Sequence, residues 1–328
     1  MASADEALAY WVEAPGRGAL RPTPLPPPGE SDVALIAEFS GVSIGTERLV
    51  GRGLVPERCA GDMACAGMQG SFALPVCYGY SLVGRIASGP LAGRRGFAMH
   101  PHQERAVVAR NRVVVLPDAV PSARATLFPN LETAVNGVWD AEPRRQDRAV
   151  VVGAGAVGLL IAFVFAKTYG EPLHVVEADP ERRRFAVRLP WIRGALAPHE
   201  VEHDSYSIAF HTTATSSGLQ VAIDALGFEG QVVDLSWYGK DTVTLDLGTT
   251  FHHRRKRLLA SQVAAVAPLH REAGRSSRTE VVLEFLHDAA LDMLHGAPVP
   301  FAKLPALFSR IYRGETIDPC PVVAYPAV

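Results

Sequence analysis

Short apolar runs separated by turn residues characterise the first third of the chain. Residues 32–40 alternate between apolar and polar positions, which predicts a strand with one buried face. The apolar side of this strand consists of Val33, Leu35, Ala37 and Phe39. The proline-rich stretch 21–28 before it excludes a regular helix or a central strand. Further short runs follow at residues 80–87, 96–100, 105–109 and 112–116. Several short strands at close spacing favour a barrel-like domain.

The pattern changes near residue 122. Residues 123–139 have helical apolar spacing, and a charged link, residues 140–148, follows. The next expected strands are residues 149–152, 173–176, 208–211 and 231–235. The expected helices between them are residues 156–169, 180–188 and 217–226. This order predicts βαβ units and a parallel sheet. A last amphipathic helix is expected at residues 279–294.

Length and composition indicate a globular protein of two domains. The chain has 328 residues, of which 48% are hydrophobic and 20% charged. The net charge of -2 shows no basic excess, so no nucleic-acid partner is expected. Four cysteines fit a reducing compartment better than a disulfide scaffold. Because the N-terminal residues do not resemble a signal peptide, the expected location is the cytoplasm.

One uncharged apolar run, residues 149–166, is long enough to be weighed as a membrane span. It contains three glycines and follows the charged residues 144–148. A buried strand, a glycine turn and a buried helix explain the run better, so no membrane association is expected.

The same run carries the most informative motif of the chain. Gly153, Gly155 and Gly158 form G-x-G-x-x-G between a predicted strand and a predicted helix. The first glycine permits the tight turn, the second lets a pyrophosphate approach the backbone, and the third lets the helix pack against the sheet. Free N–H groups at the helix start, including those of Ala156 and Val157, attract phosphate. The motif predicts a dinucleotide site. An ordinary buried turn and a methyltransferase are the alternatives, and the large β-rich domain disfavours the second.

The end of the second predicted strand of the sheet suggests which dinucleotide binds. Glu177 stands there, and a carboxylate at this point binds the ribose hydroxyls of NAD and repels the 2′-phosphate of NADP. NAD is therefore the expected cofactor. NADP stays an alternative, because Asp179 is followed by the arginine run 182–184 and Arg182 is able to accept a phosphate.

With these features, nearly the whole chain resembles the medium-chain dehydrogenase/reductase superfamily, also called the zinc alcohol dehydrogenase family. The motifs that carry the resemblance are SGVSIGTE at 40–47, PVCYGYSLVG at 75–84, GRRGFAMH at 93–100, RVVVLP at 112–117 and GQVVDLS at 230–236. The resemblance implies an α/β fold, with a Rossmann doubly wound parallel sheet plus a GroES-like β-barrel catalytic domain. It implies that residues 1–122 begin the catalytic domain, residues 123–264 form the NAD(P)-binding domain and residues 265–328 return to the catalytic domain.

Departures from the family pattern predict an enzyme without zinc. Zinc-binding members have a cysteine where this sequence has Ser43 and Ile44, and Gly-His-Glu where it has residues 79–81. The region of the third ligand, residues 128–132, offers only Glu132. Two of the three expected ligands of a catalytic zinc are thus absent. The four cysteines show no C-x-x-C spacing, and the chain leaves no room for a structural zinc lobe, so they are interpreted as packing residues.

Without zinc, a side chain has to handle the proton that accompanies hydride transfer. By the resemblance, Thr46 matches a hydroxyl relay position and Tyr80 replaces a ligand histidine. A tyrosine with its usual pKa of about 10 suits a proton donor rather than a base. His102 suits a base, with a usual pKa of about 6.5, although a solvated loop histidine is the plainer interpretation. Glu47 is interpreted as a residue that orients Thr46 or as part of a surface ion pair, and Thr46 itself as a relay or a turn residue.

Further candidates come from the resemblance. Ser236 follows the fifth Rossmann strand and is assigned to the cofactor. Its neighbours Trp237 and Tyr238 are assigned to the substrate pocket, with a dimer contact as the alternative. His100 is also assigned to the substrate pocket, since it lies next to the position where other family members carry the structural zinc lobe. The basic run 252–257 is a solvated face or an attractant for an acidic substrate.

The expected activity is hydride transfer between the cofactor and a secondary alcohol or ketone. Residues 40–47, 100–103 and 235–239 most resemble a subgroup that includes hydroxyethyl bacteriochlorophyllide a dehydrogenase, which implies a role in specialised metabolite or pigment biosynthesis. A reductase of a C=C or C=N bond and a non-catalytic nucleotide-binding protein are the alternatives. The expected partners are a small-molecule substrate and a second copy of the chain, because relatives commonly pair through the sixth Rossmann strand, here near residues 258–263.

Overall fold

A computed structural model describes residues 6–326 of the chain. Its strands are β1 (Glu6–Ala14), β2 (Arg17–Pro24), β3 (Asp32–Gly41), β4 (Gln69–Gly70), β5 (Val76–Cys77), β6 (Leu82–Ile86), β7 (Arg95–Ala98), β8 (Arg105–Ala109), β9 (Val113–Val115), β10 (Ala149–Val152), β11 (Leu173–Val176), β12 (Ile192–Leu196), β13 (Tyr206–His211), β14 (Leu226–Asp234), β15 (Arg257–Ala260), β16 (Val299–Pro300) and β17 (Val322–Ala324). Its α-helices are α1 (Ile44–Gly51), α2 (Ser122–Ala125), α3 (Phe128–Ala141), α4 (Ala156–Tyr169), α5 (Pro180–Ala186), α6 (Ser216–Ala225), α7 (Gly274–Phe285) and α8 (Leu304–Tyr312).

The chain forms two compact units. The first unit consists of the chain up to Pro129 together with the chain from Leu286 onward. The second unit is Asn130–Phe285.

Two sheets build the first unit. The strand order is β2-β1-β5-β4 in one and β16-β17-β3-β6-β7-β9 in the other, where β8 also pairs with β3. The proline-rich β2 is an edge strand, a position where missing N–H donors are tolerated. The first unit is therefore a β-rich domain of short strands, as the alternating pattern predicted.

A bulge in β3 changes which side chains face the core. Val33, Leu35 and Ala37 are buried as predicted, but the pairing with β6 shifts register between Ala37 and Phe39. One extra residue in a strand reverses the alternation beyond it. Phe39 is consequently half-buried while Ser40 is fully buried, so the prediction that Phe39 continues the buried face is wrong.

The second unit is built on a six-stranded parallel sheet in the order β12-β11-β10-β13-β14-β15. The chain winds outward from β10 to one side and then, from β13, to the other. The order therefore reverses between β10 and β13, which is the switch point of a doubly wound sheet. All four residues of β10 are buried, as expected for a parallel sheet that is covered on both faces. The predicted Rossmann arrangement is confirmed, and β10, β11 and α4 have the predicted bounds.

Two segments that were expected to form single helices are each divided. Residues 123–139 form α2 and then α3, because Pro129 lacks the N–H donor that a helix interior needs and fits only in the first turn of α3. Residues 279–294 contain the end of α7 and then a 3-10 segment, Ala289–Leu294. The Asp288 side chain starts this segment by accepting a hydrogen bond from the Ala290 N–H at 2.9 Å.

The uncharged run 149–166 is split between β10 and α4. Within residues 6–326, no helix combines the length and the apolar character that crossing a bilayer requires. The turn interpretation of the run is thus supported, and the cytoplasmic location stays a prediction.

Candidate cofactor and catalytic sites

Two glycines of the turn between β10 and α4 are required by the fold itself. Gly153 has a φ of +112°, and a Cβ there would lie 2.6 Å from the Thr212 Oγ1. A Cβ on Gly158 would lie 2.0 Å from the Gly153 carbonyl oxygen. Both positions exclude a side chain, because the strand, the turn and the helix approach too closely.

Gly155 differs from its two neighbours in the motif. Its φ of -82° and ψ of -179° suit any residue, and it caps the N-terminus of α4. Apart from its chain neighbours, no heavy atom of the described residues lies within 4 Å of a Cβ built on it. The fold does not need this glycine, whereas a ligand that touches the backbone does. The first N–H groups of α4, from Ala156 and Val157, have no intrahelical acceptor and fit the diphosphate of a dinucleotide.

The Glu177 carboxylate is held beside the glycine turn. One oxygen accepts a hydrogen bond from the Ala154 N–H at 2.9 Å, and the other accepts one from the Asp179 N–H at 3.0 Å. The side chain is half-buried directly after β11, on the neighbour of β10. Because each carboxylate oxygen has more than one acceptor position, Glu177 still has capacity for ribose hydroxyls.

The arginines after Glu177 are engaged locally. The Arg183 guanidinium donates to the carbonyl oxygens of Glu177 and Ala178, at 2.6 and 2.8 Å. Arg182 is half-buried, with its Nε 4.0 Å from an Asp179 oxygen. Arg184 pairs with Glu181. These partners compete with any phosphate for the arginines.

Ser236, Trp237 and Tyr238 are half-buried in the segment after β14. Ser236 and Tyr238 are both hydrogen-bonded to Asp234, the last residue of that strand. Asp234 in turn lies 2.9 Å from Nδ1 of His211, the last residue of β13. The sequence reasoning missed His211 and Asp234, although their places at the carboxyl ends of neighbouring strands were a usable signal.

In the first unit, the catalytic candidate His102 belongs to a buried network of hydrogen-bonded polar side chains. Its Nε2 lies 2.8 Å from the Glu47 Oε2, and its Nδ1 lies 2.7 Å from the Ser40 Oγ. The Ser40 Oγ is also 3.0 Å from the Tyr325 hydroxyl. His102 is 1% exposed and Glu47 3%. The interpretations of His102 as a solvated loop residue and of Glu47 as a surface ion pair are therefore wrong.

Glu47 connects this buried network to the start of α1. Its Oε1 accepts a hydrogen bond from the Ser43 N–H at 2.8 Å. The side chains of Ser43 and Thr46 hydrogen-bond the Tyr80 hydroxyl, and Tyr80 is half-buried. Burial raises the Tyr80 pKa further than these hydrogen bonds lower it. The phenol is consequently neutral at physiological pH and keeps a proton to donate, while the role of Tyr80 stays a prediction.

His100 is buried, 7% exposed, and packs closely against Gly67. Its Nδ1 lies 3.2 Å from the Pro101 carbonyl oxygen. Burial lowers the His100 pKa to about 4. His100 is thus a neutral, packed side chain at neutral pH rather than one that projects into solvent.

The potential zinc ligands of the chain are dispersed or occupied. No group of three or more His, Cys, Asp or Glu side chains in residues 6–326 is arranged to hold a metal ion. Burial raises the pKa of the Cys77 and Cys320 thiols to about 12, which disfavours the thiolate that zinc binds. Glu132 lies 3.3 Å from Arg278 in an ion pair. Within the described residues, the potential ligands do not fit a catalytic zinc, and zinc independence stays a prediction.

The basic run 252–257 has carboxylate partners within its own unit. Arg254 lies 3.2 Å and Lys256 3.2 Å from Asp204, and Arg255 lies 2.8 Å from Glu229. Lys256 is 5% exposed and donates to the Ile223 carbonyl oxygen. This pairing disfavours a role in attracting an acidic substrate.

No protein-family profile matches the sequence, and no curated protein matches it. Several solved structures match its fold over nearly the whole chain. The alcohol dehydrogenase rspB of Escherichia coli CFT073, in complex with NADH, has a TM-score of 0.77 and 15% identity over 98% of this chain and 99% of that one. The 2R,3R-butanediol dehydrogenase of Bacillus subtilis has a TM-score of 0.76 and 15% identity over 98% and 100%. Acetophenone reductase of Geotrichum candidum, in complex with NAD, has a TM-score of 0.76 and 15% identity over 99% and 98%.

At this identity the similarity concerns the fold. The chain has the alcohol dehydrogenase fold, with a Rossmann parallel sheet and a separate GroES-like β-domain, and the predicted fold class is confirmed.

Proposed function

We propose that this chain is a zinc-independent, nicotinamide-dependent oxidoreductase that transfers a hydride between NAD and a secondary alcohol or its ketone. The observation that carries the proposal is the glycine turn, where Gly155 leaves the backbone open although the fold does not require a glycine there. The fold is shared with an alcohol dehydrogenase solved in complex with NADH and with a reductase solved in complex with NAD, which supports the same class of reaction.

The cofactor roles follow from the turn. The N–H groups between Gly153 and Gly158, including those of Ala156 and Val157, hold the diphosphate. Glu177 accepts hydrogen bonds from the adenosine ribose, and its charge disfavours a 2′-phosphate. Arg182 binds the 2′-phosphate of NADP only if its guanidinium moves away from the Asp179 carboxylate. A nicotinamide bound by these residues would supply or take up the hydride.

Tyr80 is the proposed proton donor to the carbonyl oxygen in the direction of reduction. Its raised pKa keeps the proton available at neutral pH, and its hydrogen bonds to Ser43 and Thr46 orient the hydroxyl. In the opposite direction Tyr80 first loses its proton to the Thr46 hydroxyl while Thr46 releases its own proton to solvent water. The tyrosinate then takes the alcohol proton as the hydride leaves for the cofactor. Thr46 acts in this exchange as the hydroxyl partner.

His102 has a positioning role in the proposal. Both of its ring nitrogens have hydrogen-bond partners and the ring is 1% exposed, so it acts through Glu47 rather than on substrate. Glu47 holds the Ser43 backbone, and Ser43 in turn orients Tyr80.

We infer that the substrate is an aromatic secondary alcohol or aryl methyl ketone. The resemblance of residues 40–47, 100–103 and 235–239 to the pigment-dehydrogenase subgroup favours a hydroxyethyl group on an aromatic ring. Trp237 and Tyr238 would supply aromatic contacts, whereas buried His100 contributes little. Acetophenone, the substrate in the name of one structural neighbour, is a suitable first probe.

Titration with NADH and NADPH, followed by assays with acetophenone, tests the proposal. We expect tighter binding of NADH and NADH-dependent reduction without added metal. Tighter NADPH binding with turnover of C=C or C=N compounds would establish the alternative reductase, and binding of neither nucleotide would remove the oxidoreductase. Stoichiometric zinc that is lost together with activity on chelation would contradict the zinc-free proposal.

The substitution Tyr80→Phe tests the proton donor. We expect turnover to fall by roughly 10²–10⁴, the usual contribution of general acid–base catalysis, with unchanged NADH affinity. Tyr78→Phe is the matched control, because the Tyr78 hydroxyl contacts Cys65 and its ring packs edge-on against Tyr80. Equal turnover in both variants would exclude Tyr80 as the donor.

We also propose that two copies of the chain pair through β15. This strand is the edge of the parallel sheet, and all four of its residues are exposed. Leu258 is 45% and Leu259 39% exposed. An uncovered edge strand with exposed leucines favours strand pairing, and twofold pairing closes the assembly.

A further inference from the structure

A polar cluster lies at the carboxyl ends of β13 and β14, beside the switch point of the parallel sheet. His211 and Asp234 are register partners on these strands, and Nδ1 of His211 lies 2.9 Å from Oδ1 of Asp234. The imidazole is 0% exposed and the carboxylate side chain 12%. Burial opposes the negative charge of Asp234, but hydrogen bonds from His211, Ser236 and Tyr238 outweigh it and lower the Asp234 pKa. An ionised carboxylate only accepts hydrogen bonds, so Nδ1 of His211 carries the proton.

Asp234 holds the segment that follows β14. Its Oδ1 accepts a hydrogen bond from the Ser236 N–H at 3.0 Å, and its Oδ2 accepts one from the Tyr238 hydroxyl at 2.8 Å. The Ser236 Oγ lies 3.1 Å from Nδ1 of His211 and accepts from the Ala214 N–H at 3.1 Å. One carboxylate therefore sets the positions of two side chains that were assigned to cofactor and substrate.

The other side of the imidazole is tied to the loop after β13. Nε2 of His211 lies 2.7 Å from the Thr213 Oγ1, which lies 2.9 Å from the Thr215 Oγ1. Thr215 caps α6 by accepting from the Gly218 N–H at 3.1 Å. The Thr213 methyl group lies 3.0 Å from the place where a Cβ on Gly153 would stand. The cluster thus extends from the glycine turn to Tyr238.

Packing alone does not explain this arrangement. A buried imidazole and a partly buried carboxylate lose hydration that apolar side chains at the two strand ends would not lose. The dense hydrogen bonding offsets that loss and orients specific hydroxyls.

We propose that His211 and Asp234 are positioning residues that fix the Ser236 and Tyr238 hydroxyls for the nicotinamide half of the cofactor. Ligands of doubly wound sheets bind outside the carboxyl ends of the strands at the switch point, and β13 borders that point. The inference rests on the proposed function. His211 and Asp234 act through Ser236 and Tyr238, and neither contacts the cofactor.

Two substitutions of His211 separate its two hydrogen bonds. The amide nitrogen of asparagine occupies nearly the place of Nδ1, so His211→Asn keeps the bond to Asp234 and loses the one to Thr213. The amide nitrogen of glutamine occupies nearly the place of Nε2, so His211→Gln does the reverse. Tyr238→Phe is a milder variant at a half-buried side chain, and it removes only the hydroxyl that Asp234 holds.

The readout compares NADH with ADP-ribose, which lacks the nicotinamide. We expect His211→Gln and Tyr238→Phe to weaken NADH binding roughly tenfold, in line with the loss of one hydrogen bond to a charged group, and to lower turnover. ADP-ribose affinity should stay within about twofold in both variants, and His211→Asn, which keeps the bond to Asp234, should weaken NADH binding clearly less than His211→Gln does.

Three results would overturn the inference. They are unchanged NADH affinity in His211→Gln and Tyr238→Phe, equal weakening of NADH and ADP-ribose, and equal behaviour of the asparagine and glutamine variants. If His211→Gln does not fold, the NADH-to-ADP-ribose comparison in Tyr238→Phe decides alone. Failure of the wild-type protein to bind NADH at all would instead refute the proposed function.

Discussion

Gly155 and Gly158 belong to one motif but serve different purposes. In the proposal, Gly155 leaves room for the cofactor diphosphate, whereas Gly158 lets α4 pack against the turn. We expect Gly155→Ala to change the free energy of unfolding by less than about 1 kcal/mol, because its extended backbone accepts alanine and the space is open, although alanine is a poorer N-cap than glycine. The new methyl group would obstruct a diphosphate, so NADH affinity should fall at least about tenfold. Thermal unfolding and NADH titration measure the two effects.

Gly158→Ala is the matched control for this prediction. Its Cβ would meet the Gly153 carbonyl oxygen at 2.0 Å, so the helix has to move away from the turn. We expect a loss of roughly 1–3 kcal/mol in the free energy of unfolding, as for other overpacked positions. If Gly155→Ala lost stability and kept NADH affinity, the ligand interpretation of Gly155 would be refuted.

His100 makes stability depend on pH. Its pKa is about 4 in the folded chain because of burial, against about 6.5 when unfolded. Between these values the unfolded chain binds more protons, so stability is full above about pH 6.5 and falls as the pH drops toward 4. From pH 7.5 to pH 5, His100 should account for a loss of about 2 kcal/mol in the free energy of unfolding.

Urea unfolding of the wild-type protein and of His100→Asn at both pH values tests this expectation. The variant should lose about 2 kcal/mol less than the wild-type protein over that interval. The exposed His203, changed to Gln, is the control and should follow the wild-type protein. Parallel pH profiles for wild type and His100→Asn would show that His100 is not the cause.

The sequence singled out residues whose proposed role follows from a local pattern, and it did not single out residues whose proposed role depends on distant partners. Gly153, Gly155 and Gly158 stand in a strand–turn–helix context that is visible within one segment. His211 and Asp234 are 23 positions apart and meet only because the sheet pairs their strands. Their places at the carboxyl ends of neighbouring strands were the one signal, and nothing else in their local sequence distinguishes them from other strand ends.

Among the elements, β10 and β11 have the predicted bounds, whereas β12 of the same sheet was not predicted and the buried face of β3 was predicted wrongly at Phe39. The strands β10 and β11 are short apolar runs with clear borders, and the parallel sheet buries both of their faces. In β3 the bulge after Ala37 depends on the pairing with β6. The alternation of apolar and polar residues within β3 therefore does not indicate it. That bulge brings Ser40 into the core, where it reaches His102.

The start of α1 depends on the hydrogen-bonded pair of Glu47 and His102. We expect Glu47→Ala to lower the free energy of unfolding by roughly 3 kcal/mol, because it leaves buried polar atoms without partners. Turnover should fall as well, since Ser43 and Tyr80 lose their support. Urea unfolding and steady-state kinetics measure both effects.

An exposed ion pair is the control for Glu47. Glu171 lies 2.7 Å from Arg193, but both side chains are more than half exposed. Glu171→Ala should cost less than about 1 kcal/mol and leave turnover unchanged. Similar losses in the two variants would contradict a special role for the buried pair.

Across the whole molecule, residues near the C-terminus contact residues that are far from them in the sequence. Tyr325 follows β17 and meets Ser40 across a separation of 285 positions. The resemblance to known dehydrogenases implied that the tail returns to the first domain, and no pattern within the tail indicated its partner. The sequence alone therefore did not predict the buried hydrogen-bonded network that runs from Tyr325 to Glu47.

The assembly of two chains is the prediction that concerns the molecule as a whole. The exposed edge β15 should pair with its copy, so the protein should sediment as a dimer at micromolar concentration. Replacing Leu258 and Leu259 together by lysine places like charges on both copies of the edge, which should produce monomers. Leu269→Lys is the control, since Leu269 is 72% exposed but lies outside β15. Analytical ultracentrifugation distinguishes the outcomes: a monomeric wild-type protein, or a double variant that stays dimeric, would exclude pairing through β15.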